Sequence, residues 1–472
     1  MKVGNSNLLL TSLLIILGSS CSVSKQINKQ ASQILLKDFV ISTGHIGISI
    51  YEPATDQYWY NYNATKYFVP ASNTKLFSLY AGMKYLGDSL AGLRYQNFSD
   101  SSINIFPTGD PTFLHPDFVQ QPVLTFLKNE KRSINVLNNW NEKALGYGWS
   151  WDDYNDNYMV ERSPLPVYGN IVTFKMNDLK FADQYTAAID WNISPKIFKD
   201  SINNFYALPI KLRVPGEMMD AGLSKKEVTN FSLLRNKTSN NFILERADSI
   251  FTKQEIPINT NGVFTAVQIL NNEFNLKLKI GVQADNSLHN SVPYHLQMHS
   301  IKSQPVDSMF TPMMHRSDNF FAEQTLLMAS NERLGYMSDE AIIDTLLNND
   351  LKDIPQRPQW VDGSGLSRYN LFTPQDFVYI LNKLKNDFGL ERLKKILPTG
   401  GTGTFKRYFN SDSNFIYAKT GSLSNQVALS GFLITNKNKL LMFSILNNNY
   451  EGSTTAVRRA VERFLKQIRK KY

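Results

Sequence analysis

Strand-like segments lie at the two ends of this 472-residue chain, and what separates them is helical or irregular. Near the start, Gly47-Ile48-Ser49-Ile50-Tyr51 passes through Pro53-Ala54-Thr55-Asp56 into Gln57 to Tyr62, where aromatics alternate. Two such runs around a Pro/Asp turn predict a hairpin. Near the end, strands are predicted at Phe415–Lys419, Gln426–Thr435 and Lys439–Leu446. A helix follows them, its Ala456, Val457, Ala460, Val461, Phe464, Leu465 and Ile468 recurring at three and four. Between the ends, apolar stripes predict helices from Leu76 to a stop at Gly87, at Pro305–Met314 and at Asn319–Ser330. This order predicts an α/β (α+β) fold in which both termini build one sheet flanked by helices. From Asp88 to Asn290 the chain holds only short strand-like runs and turn clusters, with no internal repeat. We therefore expect the sheet domain at 38–88 and 291–472, with inserted domain or domains at 89–290.

A hydrophobic share of 42% with 19% charged residues supports a sizeable core and excludes compositional disorder. The formal charge of +9 favours an anionic partner. No basic-aromatic motif accompanies it, which argues against nucleic acid. One cysteine rules out intrachain disulfides, a Cys-rich zinc site and a CxxC redox motif. That residue, Cys21, follows the apolar run Leu8 to Leu17 and the small residues Gly18-Ser19-Ser20. Such a run is about half of what a membrane span needs and suits a secretory signal. We read 1–20 as a signal peptide and 21–37, polar and without aromatics, as a tether. The end of the signal resembles a bacterial lipobox, which implies a lipidated Cys21 and a membrane anchor. It departs from that pattern in Gly18, where Leu is usual, and in Lys2 as the lone charge before the run. The alternative is a plain cleaved signal with Cys21 incidental. His45, His115, His289, His295, His299 and His315 are scattered; His295 and His299 could share a helix face, but no third ligand completes a zinc motif.

Ser72-Asn73-Thr74-Lys75 is an S-x-x-K tetrad at a predicted helix start. Three residues of helix bring Lys75 onto the same face as Ser72, so the amine can reach the hydroxyl. Desolvation or a neighbouring cation would lower the lysine pKa and make it a base for the serine. Alone the tetrad says little: the tether holds another, Ser22 to Lys25, and a serine there is more often a helix cap. Ser317-Asp318-Asn319 between two predicted helices and Lys419-Thr420-Gly421 at a strand end change this. The three elements occur in the order that serine-based penicillin-recognising enzymes use.

In full, the chain resembles the low-molecular-mass class C penicillin-binding proteins, the penicillin-binding protein 4 type of D-alanyl-D-alanine carboxypeptidase and endopeptidase. The resemblance is carried by Pro70 to Leu76, Gly109-Asp110-Pro111-Thr112-Phe113, Gly148-Trp149-Ser150-Trp151-Asp152-Asp153 and Ser317-Asp318-Asn319 with Ala322-Glu323. It continues in Asp362-Gly363-Ser364-Gly365-Leu366-Ser367-Arg368, Gly403-Thr404-Phe405 and Tyr417 to Leu423, about 400 residues in all. It implies a penicillin-binding transpeptidase-like domain, an insertion of about 200 residues after the nucleophile helix, and no metal or cofactor. It implies roles too: Ser72 as nucleophile, Lys75 as base, Ser317 as proton relay and Asn319 as a partner of Lys75 or the substrate amide. Lys419 would depress the Lys75 pKa and, with Thr420, meet the substrate carboxylate. The N–H groups of Ser72 and Ser422 would form the oxyanion hole, and Gly421 would leave room for backbone approach. Asp153 and Arg368 would meet the amine and carboxylate of the stem-peptide side chain. Gln426 stands where the family usually has a small apolar residue. The implied partners are peptidoglycan stem peptides, with β-lactams as covalent inhibitors. A β-lactamase-like or esterase activity and a non-catalytic cell-wall scaffold are the competing readings.

Overall fold

Alternation of apolar and polar side chains forms the N-terminal hairpin, β1 (His45–Glu52) and β2 (Gln57–Tyr62). The structure is a computed structural model that describes residues 23–138, 140–181, 187–203, 232–245, 252–281 and 298–472. Cys21, the apolar run before it, His289 and His295 lie outside the described residues. The chain divides into two units. The first takes the chain up to Leu90, Gly146–Trp149 and Gln304–Tyr472, and the second takes Ala91–Leu145 and Ser150–Ser303. The return to the first unit therefore falls about a dozen residues later than the expected 290/291, and the Gly148-Trp149 segment, expected in the insertion, belongs to the first unit.

In the first unit, residues 23–31 form α1, which runs on through a wide turn, Ser32–Leu36. After the hairpin come α2 (Lys75–Tyr85), α3 (Val306–His315), α4 (Asn319–Leu334), α5 (Asp339–Asn348), α6 (Pro374–Phe388) and α7 (Leu390–Ile396). Strands β3 (Ile416–Leu423), β4 (Gln426–Ile434) and β5 (Leu440–Asn448) and helix α8 (Thr454–Lys471) close the chain. The sheet order is β3-β4-β5-β1-β2, and every neighbouring pair is antiparallel. Both ends of the chain thus share one sheet, joined where β1 pairs with β5 from His45↔Asn448 to Tyr51↔Met442.

On one face, Ile46, Ile48, Ile50, Val427, Leu429, Phe443 and Ile445 pack with Val457, Ala460, Val461, Phe464, Leu465 and Ile468 of α8. Across the sheet, a row of small polar residues is held in register: Lys419↔Ser430, Ser430↔Ser444, Ser49↔Ser444 and Ser49↔Asn61. Ser430 Oγ donates to Ser444 Oγ at 2.8 Å, Ser49 Oγ donates to Asn61 Oδ1 at 2.8 Å, and Asn73 Nδ2 donates to Ser430 Oγ at 2.7 Å. The middle of the S-x-x-K tetrad is thereby tied to the sheet through buried hydrogen bonds.

Three expectations are corrected in this unit. Residues 23–36 are not a free tether: Ile27, Ala31 and Leu35, four apart, are fully buried in the sheet–α8 core. Val23, Ile34 and Leu36 pack partly against the same core, and the polar residues between these apolar ones concealed the stripe in composition. The strand expected to end at Lys419 continues to Leu423, because Leu423↔Gln426 closes a two-residue turn in which Asn425 takes φ +65°. The closing Arg469-Lys470-Lys471 reads in the sequence as a solvated helix end that suits the helix dipole, but Arg469 is held by the fold. It donates to Asp412 Oδ1 at 2.8 Å and lies 3.9 Å from the Phe415 ring centroid.

The second unit holds a five-stranded sheet in the order Lys279–Gly281, Ser133–Leu137, Ser102–Pro107, Ser89–Ser99, His299–Pro305, and two three-stranded sheets. Its core gathers Leu93, Ile105, Val136, Val172, Phe174, Phe242 and Ile269. His299 lies on a strand and stacks on Tyr95 at 4.9 Å, so it shares no helix face. Among the described residues no helix is long and apolar enough to cross a membrane.

Packing at Leu35 gives the first test. Replacing Leu35 with Ala should destabilise the first unit by about 2–5 kcal/mol, the usual cost of emptying a buried leucine site. Urea denaturation measures it, and an unchanged midpoint would mean that 23–36 is a tether after all.

Candidate active site

Ser72 lies in a single 3-10 turn, Ala71–Thr74, and Lys75 opens α2 directly behind it. Ala71, just before the serine, takes φ +48°, a left-handed conformation that an alanine adopts only when its surroundings hold it. Ser317 itself takes φ +61°, two residues before α4, whose first turn Asp318 caps by accepting from Phe321 N at 3.1 Å. Both serines that the sequence singles out therefore sit on strained turns at the heads of helices.

Lys75 is fully buried, and its Nζ has three neighbours. It donates to Asn319 Oδ1 at 2.6 Å, to the Ser364 carbonyl at 2.8 Å and to Ser72 Oγ at 3.1 Å. As an ammonium it uses all three N–H bonds. Once neutral it has two N–H bonds and a lone pair. The Asn319 oxygen and the Ser364 carbonyl can only accept, so the lone pair is left facing the one partner with a proton to give, Ser72. Burial brings the Lys75 pKa down to about 8, against the carboxylates of Asp362, Glu323 and Asp318, which favour the charged form. Desolvation, and not the expected repulsion from Lys419, is the leading cause.

Lys419 is fully buried as well, and it donates to Ser317 Oγ at 2.8 Å and to the Thr420 carbonyl at 2.7 Å. Its pKa lies well below the usual lysine value, first through burial and then through the charges of Lys75 and Arg458. Ser72, Lys75, Ser317, Asn319 and Lys419 are thus linked in two hydrogen-bonded groups.

β3 is an edge strand, and its open side matters. Ala418 N–H turns away from β4 to the Pro398 carbonyl at 3.1 Å. Because antiparallel backbone groups alternate, the N–H groups of Thr420 and Ser422 face the same open edge. Gly421 lies against the turn that carries Ser72: a Cβ there would stand 2.7 Å from the Pro70 carbonyl and 3.0 Å from Ser72 N. Only glycine brings the edge strand this close to the serine backbone.

Arg458 of α8 is a residue the sequence reading missed. Its Nη2 donates to Ser422 Oγ at 2.6 Å, and it shares with Thr420 a shallow, mainly apolar hollow lined also by Phe405, Tyr408 and Val427. Four other cations of the helix meet carboxylates: Arg459 meets Glu462, Arg463 Asp38, Lys466 Asp412 and Glu462, and Arg469 Asp412. Arg458 meets a hydroxyl beside the edge strand instead. In sequence it is one of several basic residues in a helix, and only its neighbour across space distinguishes it.

Among the described residues, no hydrogen bond joins the remaining expected site residues to these two groups. Arg368 is exposed, with its guanidinium 3.4 and 3.5 Å from the Ser424 carbonyl. Asp153 belongs to the second unit, in the turn Trp151–Asn155, where its N–H donates to the Ser150 carbonyl. Gln426 is buried at the start of β4 and donates to Asn449 Oδ1 at 3.3 Å.

A serine–lysine pair, an Asn-bearing turn and a lysine-bearing edge strand on this sheet define the class of penicillin-binding folds, and solved structures agree. Penicillin-binding protein 4 (dacB) from Haemophilus influenzae shares the fold with a TM-score of 0.66 at 16% identity, covering 94% of this chain and 98% of that one. The same protein complexed with a β-lactam matches at 0.62 and 17% identity, with the same coverage. The chain belongs to the D-Ala-D-Ala carboxypeptidase 3 (S13) family, whose model matches residues 27–205 and 236–470. Carboxypeptidase DacB of Mycolicibacterium smegmatis is 30% identical over 162 residues, which is 32% of this chain. That match spans about a third of the relative's own length, 35%.

Proposed function

We propose that the chain is a serine-type D-Ala-D-Ala carboxypeptidase and D,D-endopeptidase acting on peptidoglycan stem peptides. The observation that carries this is the environment of Lys75 Nζ, where two pure acceptors leave the lone pair of the neutral amine to Ser72. Ser72 Oγ attacks the carbonyl between the two terminal D-alanines while Lys75 takes its proton. The N–H groups of Ser72 and Ser422 receive the oxyanion. The C–N bond then breaks, Ser317 relays a proton to the departing amine, and D-alanine leaves an ester on Ser72. Water hydrolyses that ester and restores the serine. In a cross-link the departing amine belongs to the neighbouring stem peptide, and the same steps cut the bridge.

Lys419, Thr420 and Arg458 hold the carboxylate of the departing residue, with Arg458 supplying the planar fork suited to it. Arg368 and Asp153 are assigned to the carboxylate and amine of the stem-peptide side chain. β-Lactams acylate Ser72 in place of the peptide; the Haemophilus influenzae relative has been solved with one bound. Export follows from the apolar run ahead of Cys21, and Cys21 carries a lipid that tethers the enzyme to a membrane.

A fluorescent penicillin should label the wild type and leave Ser72→Ala unlabelled; equal label on both would overturn the nucleophile. Acylation should fall about tenfold per pH unit below about 8, because the base is lost as Lys75 gains its proton. Release of D-alanine from purified muropeptides distinguishes a peptidase from a scaffold that is merely acylated. Arg458→Ala should raise KM for such peptides on the order of tenfold with kcat changed much less, and a pure kcat effect would exclude the carboxylate role. Labelled palmitate should enter the wild type but not Cys21→Ser, and equal incorporation would remove the anchor.

A further inference from the structure

Of the three partners of Lys75 Nζ, the Ser364 carbonyl is the one that comes from the backbone, within the 362–368 segment, and it is held from several sides. The loop 362–370 runs beside α4 so closely that a Cβ at Gly363 would stand 2.6 Å from the Ala322 carbonyl and 3.1 Å from Glu323 Cα. Ser364 N donates to Glu323 Oε1 at 2.7 Å, and Glu323 is almost fully buried. Ser78 Oγ of α2 donates to the Gly363 carbonyl at 2.5 Å. Asp362 takes Gly365 N at 2.8 Å and Asn370 Nδ2 at 2.7 Å on Oδ1, and Ser367 N at 2.6 Å and Trp149 Nε1 at 3.0 Å on Oδ2. The peptide groups on either side of Ser364 are thus fixed, and its carbonyl has no freedom to leave the lysine.

We propose that Glu323 is a positioning residue for the base: through the Ser364 peptide it keeps Lys75 Nζ turned on Ser72, and its charge sets how far that amine stays protonated. This rests on the reading of Lys75 as the base for Ser72. Geometry and charge are separable here. A glutamate oxygen accepts the Ser364 N–H whether or not the side chain is charged, whereas the field at Lys75 depends on the charge alone. The charged groups that bear on Lys75 are Asp318 and Glu323 from the α4 side, Asp362 from the 362–370 loop and Lys419 from β3. The three carboxylates favour the ammonium, so removing one of them makes the amine a base at lower pH.

Two variants test this, each read as the rate of penicillin acylation against pH with folding followed by thermal denaturation. Glu323→Gln keeps an acceptor for Ser364 N and discards the charge. The acid limb of its profile should move down by roughly 0.5–1 pH unit. Glu323→Asp keeps the charge but withdraws the oxygen from Ser364 N. Its acylation should fall tenfold or more with the acid limb in place. If Glu323→Gln does not fold, Glu323→Asp still tests the positioning role. A wild-type limb in Glu323→Gln overturns the charge role, and a wild-type rate in Glu323→Asp overturns the positioning role. A wild type that no penicillin acylates overturns the serine mechanism instead, so the two failures are distinguishable.

Discussion

A buried ammonium group is the constraint on which the site is built. Removing a lysine from water without partners costs so much that the group ordinarily sheds its proton. Lys75 instead meets three acceptors and the field of three carboxylates, and the two influences leave its pKa at about 8, within reach of both forms. Each acceptor comes from a different stretch of chain: Ser72 from the turn ahead of α2, Asn319 from the head of α4, Ser364 from the 362–370 loop. None can be moved without leaving the cation under-solvated, so the lysine organises the elements around it as much as they organise the lysine.

The sheet supplies the second half of the arrangement. Because β3 lies at its edge, one row of backbone N–H groups is left facing outward beside Ser72, where an interior strand would have spent them on a neighbour. The row of small side chains Ser430, Ser444 and Ser49, beside Lys419, lets the 71–74 turn settle on the sheet through Asn73. Larger residues there would hold the serine away from the edge strand, as would any side chain at position 421.

Motifs whose members touch each other were legible from sequence. Ser72 and Lys75 meet because three residues of helix bring them together, and Ser317 and Asn319 because they bracket a capped helix start. The sheet from both termini was legible too, since strand and helix periods are local properties. What escaped notice depends on distant neighbours. Glu323 belongs to a motif read from the sequence but its tie to Ser364 was not visible there, and Arg458 looks like an ordinary charge in a helix until Ser422 is seen beside it. The stripe Ile27, Ala31 and Leu35 passed for a polar tether because its three apolar residues mean little without the α8 core they enter. Gly148-Trp149 read as part of the insertion, since no local pattern shows a segment four residues long returning to the first unit.

The sequence by itself determined which motifs the chain holds and in what order: a serine with a lysine one turn later, a Ser-Asp-Asn helix start and a Lys-Thr-Gly strand. Those follow from short-range geometry, which three or four residues specify. Tertiary structure alone decided that Lys75 would be buried, which carbonyl would direct its lone pair, which carboxylates would oppose its deprotonation and which arginine would stand by the edge strand. Desolvation and electrostatic fields depend on what the whole fold brings within a few ångströms, and contacts between residues hundreds of positions apart leave no periodic trace in either stretch.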